Sequence, residues 1–225
     1  MVEGKKTAVI LGASGLVGKE LVNTLFYSNH YSKIYLLVRR PIQVPFEGCE
    51  TRVIDFDKIE DYSELFAVND VFCCLGTTIK KVKTQEAFRK VDYEYPLAAA
   101  KLAKEKGVDK FLIVTAMGAN SKSPFFYNRV KGEIEDALRT LNLSSLHIFR
   151  PSLLLGKRDE FRLGEKLAEK ASFLINTIMM GPLRPYRGIQ VKKVAAAMAF
   201  IAQTKKSGIN VYKSDEIDKM IAFAK

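Results

Sequence analysis

The chain has 225 residues, a mass of 25.3 kDa, 48 % hydrophobic and 27 % charged residues, and 36 Lys plus Arg against 25 Asp plus Glu, a net charge of +11. That length and usage fit one α/β domain and exclude disordered, collagen-like and low-complexity classes, while the charge permits anionic ligands or a nucleic acid without choosing between them. The apolar runs are too short to span a bilayer, and the start lacks a secretory apolar region. The cysteines Cys49, Cys73 and Cys74 form no CxxC pair and the histidines are only His30 and His147. No disulfide framework or metal centre is indicated, so a reduced, cytoplasmic protein is expected.

Strand and helix patterns alternate along the chain. Thr7 to Leu11 is a short apolar run typical of a buried parallel strand, followed by a glycine turn and an amphipathic helix from about Leu16 to Tyr27. Strands are expected at Lys33 to Val38, Glu50 to Asp55, Asp70 to Leu75, Lys110 to Thr115, Ser145 to Phe149 and Ile209 to Tyr212. Helices are expected at Thr84 to Lys106, Pro124 to Leu141 and Val191 to Ala202, with a terminal helix capped by Ser214. This alternation predicts a Rossmann-type, doubly wound parallel sheet with right-handed crossovers, a single domain over residues 1–225. Residues 157–190 break the rhythm and read as a small cap inserted over the carboxyl ends of the strands, where open α/β sheets bind ligands.

The first turn, Gly12-Ala13-Ser14-Gly15-Leu16-Val17-Gly18, spaces its glycines GxxGxxG between a strand and a helix. The first glycine suits a tight turn, the second lets the backbone approach a pyrophosphate, and the third lets helix and strand pack closely. Free N–H groups at the helix start then face the anion. At the end of the second strand, where NAD sites carry a carboxylate for the ribose 2′-hydroxyl, this chain has Arg39 followed by Arg40. A guanidinium there can chelate a 2′-phosphate, so NADP(H) is expected over NAD. Asp55 either accepts from the adenine amino group, with Phe56 bordering the base, or simply caps its turn. Leu75-Gly76-Thr77 provides small residues where a ribose must approach the backbone.

Tyr127 and Lys131 form YxxxK on the helix after the fifth strand, where residues four apart share a face. A neighbouring ammonium favours the phenolate, so Tyr127 could pass a proton to or from a carbonyl oxygen during hydride transfer, with Lys131 also bonding the nicotinamide ribose. Thr115, at the end of the fifth strand, is the candidate hydroxyl for polarising that carbonyl, with Ser121 and Ser123 as competitors.

These segments together resemble a known group. TAVILGASGLVGKEL, LLVRR, DVFCCLGTT, KVDYEYP, YNRVKGE and FRPSLLLG make the chain similar to an atypical short-chain dehydrogenase/reductase, close to the Tat-interacting-protein and NmrA-like proteins. The resemblance implies a Rossmann fold, bound NADP(H), Tyr127 and Lys131 in the active site, Val91 near the cofactor, and Pro151, Leu153 and Leu154 bordering the nicotinamide. The expected function is NADPH-dependent oxidation or reduction of a small carbonyl/alcohol substrate; the alternative is a non-catalytic NADP(H)-binding sensor or adaptor for a protein partner. Excess basic residues in the cap suggest an anionic substrate met by Tyr186 and Arg187. Scattered lysines argue against a nucleic-acid partner, and a monomer and a homodimer are equally compatible with the sequence.

Overall fold

A computed structural model describes residues 4–44, 46–156 and 187–223. Seven parallel strands form one sheet: β1 (Lys6–Leu11), β2 (Tyr31–Val38), β3 (Cys49–Val53), β4 (Asp70–Cys73), β5 (Lys110–Val114), β6 (Ser145–Arg150) and a late strand (Gly208–Lys213), in the order β3-β2-β1-β4-β5-β6 and then that last strand. The order reverses between β1 and β4, which run side by side with Ala8 opposite Asp70 and Leu11 opposite Cys73. Such a reversal leaves a crevice at the carboxyl ends of the two strands.

The apolar runs become central strands because both faces are covered by helices. Side chains alternate between two cores, as a period of two requires. Ala8 and Ile10 join one layer with Leu36, Phe72 and Leu112, packed on Leu21 and Leu25 of α1 (Leu16–Ser28). Val9 and Leu11 join the other with Val71, Cys73 and Ile113. Each fully buried Leu, Ile or Phe contributes about 1.5–3 kcal/mol, so Phe72→Ala would cost about 3–5 kcal/mol. The edge strand β3 alternates weakly, and its Arg52 and Val53 are exposed.

Between β3 and β4 lies a 3-10 segment, Phe56–Phe66. The expected helix from Thr84 to Lys106 is instead a composite: after the short α2 (Ile79–Val82), α3 (Gln85–Arg89) runs into a π-helical turn at Lys90–Glu94 and then into α4 (Tyr95–Glu105). Helix α5 (Phe126–Thr140) follows β5. After β6, two short strands, β7 (Leu154–Leu155) and β8 (Ile189–Gln190), pair in parallel. Helix α6 (Val191–Gln203), the last sheet strand β9 (Gly208–Lys213) and α7 (Ser214–Phe223) complete the order. Ser214 does not cap α7 with its hydroxyl; that group lies 2.8 Å from the Ser152 hydroxyl and accepts from the Ser152 N–H at 3.2 Å.

Candidate functional site

The glycine turn stands at the crevice. Gly12 has φ +81°, and a Cβ on it would lie 2.6 Å from the Cys74 carbonyl oxygen at the end of β4. A Cβ on Gly18 would lie 2.1 Å from the Gly12 carbonyl oxygen. Both positions therefore require glycine, the first for its conformation and its neighbour, the second because α1 runs directly against the turn. The Gly15 N–H closes the turn on the Gly12 carbonyl at 2.9 Å. What remains is a cradle of backbone at a helix start, which suits a pyrophosphate.

One cleft brings together most of the expected cofactor residues. Gly12, Ser14 and Gly15 line it from the turn, Arg39 from the end of β2, Phe56 from the segment after β3, Leu75, Gly76 and Thr77 from the loop after β4, and Val91 from the π turn. Leu37, Val38, Cys74, Lys81 and Tyr95 complete its walls. Tyr95 and Cys74 were not anticipated. Tyr95 sits in the KVDYEYP segment, but its place beside Phe56, with ring centres 5.4 Å apart, depends on the 3-10 segment meeting α4. The Tyr95 hydroxyl donates to Asp57 at 2.7 Å. Burial, and then the Asp57 carboxylate, raises it above the usual phenol range. Burial, and then the neighbouring Cys73, pushes the Cys74 thiol up in the same way.

The other expected cofactor residues fall outside the cleft lining. Ala13 and Val17 are buried in the core, and Leu16 packs against it. Arg40 is exposed. Asp55 accepts from the Asp57 N–H at 3.0 Å, so it caps its turn, the second of its two readings. Pro151 is buried with its carbonyl accepting from the Met117 N–H at 2.9 Å, Leu153 is 55 % exposed, and Leu154 pairs in β7.

Helix α5 aligns Tyr127, Lys131 and Glu135 along one face at intervals of four. Tyr127 is 41 % exposed, with its ring 5.7 Å from that of Phe88, and its hydroxyl makes no hydrogen bond among the described residues. Lys131 is buried, 2.8 Å from the Asp92 carboxylate, which is itself fully buried. The other Asp92 oxygen accepts from the Thr77 N–H at 2.9 Å. Burial opposes the Lys131 charge, but the attraction of Asp92 and Tyr127 outweighs it and holds the ammonium above its ordinary pKa.

Thr115, the expected carbonyl-polarising hydroxyl, follows β5 and is buried with internal contacts. Its hydroxyl donates to Glu135 at 2.7 Å, with the Phe149 carbonyl as a second contact at 3.4 Å. A hydroxyl has one proton, and this one is spent inside the protein. Glu135 itself lies two turns, about 12 Å, along α5 from Tyr127. Glu135 in turn receives the Arg150 guanidinium, whose Nε lies 2.9 Å and 3.1 Å from its two oxygens. Asp92, Glu135 and Arg150 were missed: each is an ordinary charge in the sequence, and only its burial in a pair distinguishes it. For Glu135 the helical spacing from Tyr127 and Lys131 was the available signal.

Tyr186 and residues 157–186 of the expected cap lie outside the described residues. Arg187 is half-buried, its Nε has no hydrogen-bond partner among the described residues, and its carbonyl accepts from the Ser152 hydroxyl.

Comparison with known proteins agrees with the cleft. A family profile described as NAD(P)H-binding matches residues 12–166, and the chain belongs to that family. Protein HTATIP2 of Rattus norvegicus is 40 % identical over 169 residues, covering 73 % of this chain and 69 % of that protein. This agrees with the Tat-interacting-protein resemblance. Protein FMP52, mitochondrial, of Candida albicans is 34 % identical over 215 residues, 92 % of this chain and 91 % of that protein. Among solved structures, MoeE5 in complex with UDP-glucose and NAD superposes with a TM-score of 0.70 at 14 % identity, covering 97 % of this chain and 81 % of that one. At that identity it shows the fold alone, a Rossmann-type parallel sheet.

The relatives also overturn the expectation of a cytoplasmic protein. FMP52 proteins 30–35 % identical over most of this chain are named mitochondrial. Free thiols suit a reducing compartment and do not distinguish cytosol from organelle. No helix among the described residues is long and apolar enough to cross a membrane.

Proposed function

We propose that the protein is an NADP(H)-dependent oxidoreductase acting on a small carbonyl/alcohol substrate. The observation that carries this reading is the junction of two features at one crevice: the glycine cradle with Arg39 in its cleft, and Asp92 joining the Thr77 N–H of that cleft to Lys131, one turn from Tyr127. When bound, NADP(H) supplies or accepts the hydride. Arg39 stands where a guanidinium would chelate a 2′-phosphate and an NAD-type carboxylate would repel it. Tyr127 presents a hydroxyl free to give a proton to a carbonyl oxygen or take one from an alcohol. Lys131 holds a fixed positive charge one turn away, which favours the phenolate. The anionic-substrate reading rests on Arg187, whose Nε lacks a partner among the described residues.

Titration with NADPH and NADH, followed by nicotinamide fluorescence, tests the cofactor; tight NADPH binding that Arg39→Ala weakens selectively supports it, and equal affinity for both nucleotides overturns it. A carbonyl-substrate screen with NADPH then tests the chemistry. Tyr127→Phe should abolish turnover while NADPH still binds, and turnover at the unmodified rate would sink the role given to Tyr127.

A second reading, a non-catalytic NADP(H)-binding adaptor, is favoured by one observation: the Thr115 hydroxyl is committed to Glu135, so it is not available to polarise a substrate carbonyl. NADPH-dependent binding of a protein partner that survives Tyr127→Phe would support it. The FMP52 relatives make a mitochondrial location the reading to test by cell fractionation.

A further inference from the structure

Asp92 is a buried charge behind the cleft wall, bonded to its Thr77, that neither the glycine turn nor the YxxxK helix accounts for. Its side chain is fully excluded from solvent. An isolated carboxylate would not stay ionised there, because burial penalises the charged form heavily. It has two compensating partners from two different elements: the Thr77 N–H at 2.9 Å, in the loop that follows β4, and the Lys131 ammonium at 2.8 Å, on α5. The backbone around it is also special. Asp92 occupies the middle of the π turn that interrupts the α3–α4 run, and π turns of this kind are frequent at functional sites. Its neighbour Val91 lines the cofactor cleft.

We propose that Asp92 is a positioning residue: its carboxylate ties Lys131 to the cofactor loop and sets how much of the lysine charge reaches Tyr127. This rests on the reading of Tyr127 and Lys131 as the proton-transfer pair. It extends that reading, because it makes the pair a triad in which the lysine is held from behind by a fixed counter-charge. The groups around Lys131 are few. Asp92 faces it from the π turn, Tyr127 from its own helix, and the Cys73 thiol from β4, a thiol that burial pushes up to about 12 and so keeps neutral. Glu135, one turn further along α5, is occupied by Arg150 and Thr115. Among the described residues, Asp92 is thus the carboxylate that faces Lys131 and has no other cation of its own.

The consequence can be read without any substrate. In a pH titration of tyrosinate absorbance on the full chain, the step missing from Tyr127→Phe belongs to Tyr127. Asp92→Asn retains an oxygen for the Thr77 N–H but removes the counter-charge, leaving the ammonium to act on the phenol alone. That step then moves to lower pH by about one unit, and Lys131→Met added to Asp92→Asn cancels the displacement. Lys131→Met alone leaves the carboxylate as the nearer charge and moves the step to higher pH. A Tyr127 step that stays in place in Asp92→Asn, or that lies as far below the unmodified protein in the double variant as in Asp92→Asn, overturns the proposal.

Asp92→Asn strands a buried ammonium, so it is the variant most prone to unfold. If it does, the comparison of Lys131→Met with the double variant decides: the proposal requires the double variant to lie at lower pH than Lys131→Met, and coincidence of the two overturns it. The titration and the turnover assay fail separately. A displaced step with a fully active Tyr127→Phe sinks the catalytic reading, whereas an inactive Tyr127→Phe with an unmoved step sinks the role of Asp92.

Discussion

The two ends of the sheet bury charge for different ends. At the amino end, Asp70 accepts from the Tyr31 hydroxyl at 2.6 Å and pairs with Lys6 at 3.3 Å. Lys110 donates to carbonyls at the close of α6, that of Ala202 at 2.8 Å, and so satisfies a helix terminus. His147 sits between the Ser145 hydroxyl at 2.8 Å and the Tyr212 hydroxyl at 3.0 Å. The partners there are internal and the charges finish the fold. At the carboxyl end, the Lys131–Asp92 and Arg150–Glu135 pairs are just as internal, but Asp92 also holds the Thr77 N–H of the cleft and Lys131 lies one turn from the exposed Tyr127. A buried ion pair is weak evidence for stability in either place; what distinguishes the two is whether the neighbouring surface is filled or left open. At one end the neighbour is a helix terminus that needs its carbonyls capped, at the other a glycine turn that can take nothing larger than backbone.

That contrast can be broken by substitution. The largest effect is expected from Asp70→Ala, which takes the buried acceptor from the Tyr31 hydroxyl and the counter-charge from Lys6 and costs about 3 kcal/mol in denaturant unfolding. Its NADPH affinity, measured on the folded fraction, should be unchanged; a matching loss of affinity would mean that the two ends are not independent.

Next comes pH. Burial, with the charges of Lys110 and Lys206 behind it, lowers the His147 imidazole to about 4 in the fold, against about 6.5 in an unfolded chain. The fold thus holds His147 neutral, while the unfolded chain takes up a proton below about 6.5. The stability it secures is fully present above that pH and is lost as the pH falls toward 4, by about 3 kcal/mol in all. His147→Gln should remove that part of the decline, seen as a flatter pH profile of unfolding midpoints. A profile as steep as that of the unmodified protein would rule the histidine out as its source.

Arg39→Ala sharpens the contrast from the open side. Arg39 is exposed, so stability should hold, while loss of charge-assisted bonds to a 2′-phosphate lowers NADPH affinity by about 10–100-fold and leaves NADH little changed. The smallest effect is expected for Arg40→Ala. This side chain is exposed and does not line the cleft, so both stability and NADPH affinity should change by no more than about 0.5 kcal/mol. Equal losses from the two arginines would move the phosphate site off Arg39.

The architecture was legible in the sequence because parallel strands buried on both faces read as apolar runs, and Thr7 to Leu11 and Asp70 to Cys73 could be little else. The glycine cradle was legible for a similar reason: at Gly12 and Gly18 the backbone admits no alternative. The composite character of the α3–α4 run was not, since a π turn leaves the amphipathic pattern almost intact. Thr115 shows the limit for side chains. Its position at the end of β5 was correct to one residue, yet its function depends on whether Glu135 is in reach, and that is decided by how α5 docks on the sheet. Asp55 shows the same limit from the other side, where a local cap was available and prevailed. Asp92 needed two long-range partners to be recognised at all.

The pairing of Leu154 with Ile189 and of Leu155 with Gln190 has an evolutionary consequence. It fastens the two flanks of the intervening chain to one another beside the open end of the sheet. Once the ends of a loop are clamped, its length is nearly free: doubling it adds only about 0.6 kcal/mol of closure entropy. A lineage could lengthen, shorten or exchange the stretch between β7 and β8 without renegotiating the sheet or the glycine cradle. The little two-stranded pair acts as a socket whose own geometry is indifferent to the length it closes.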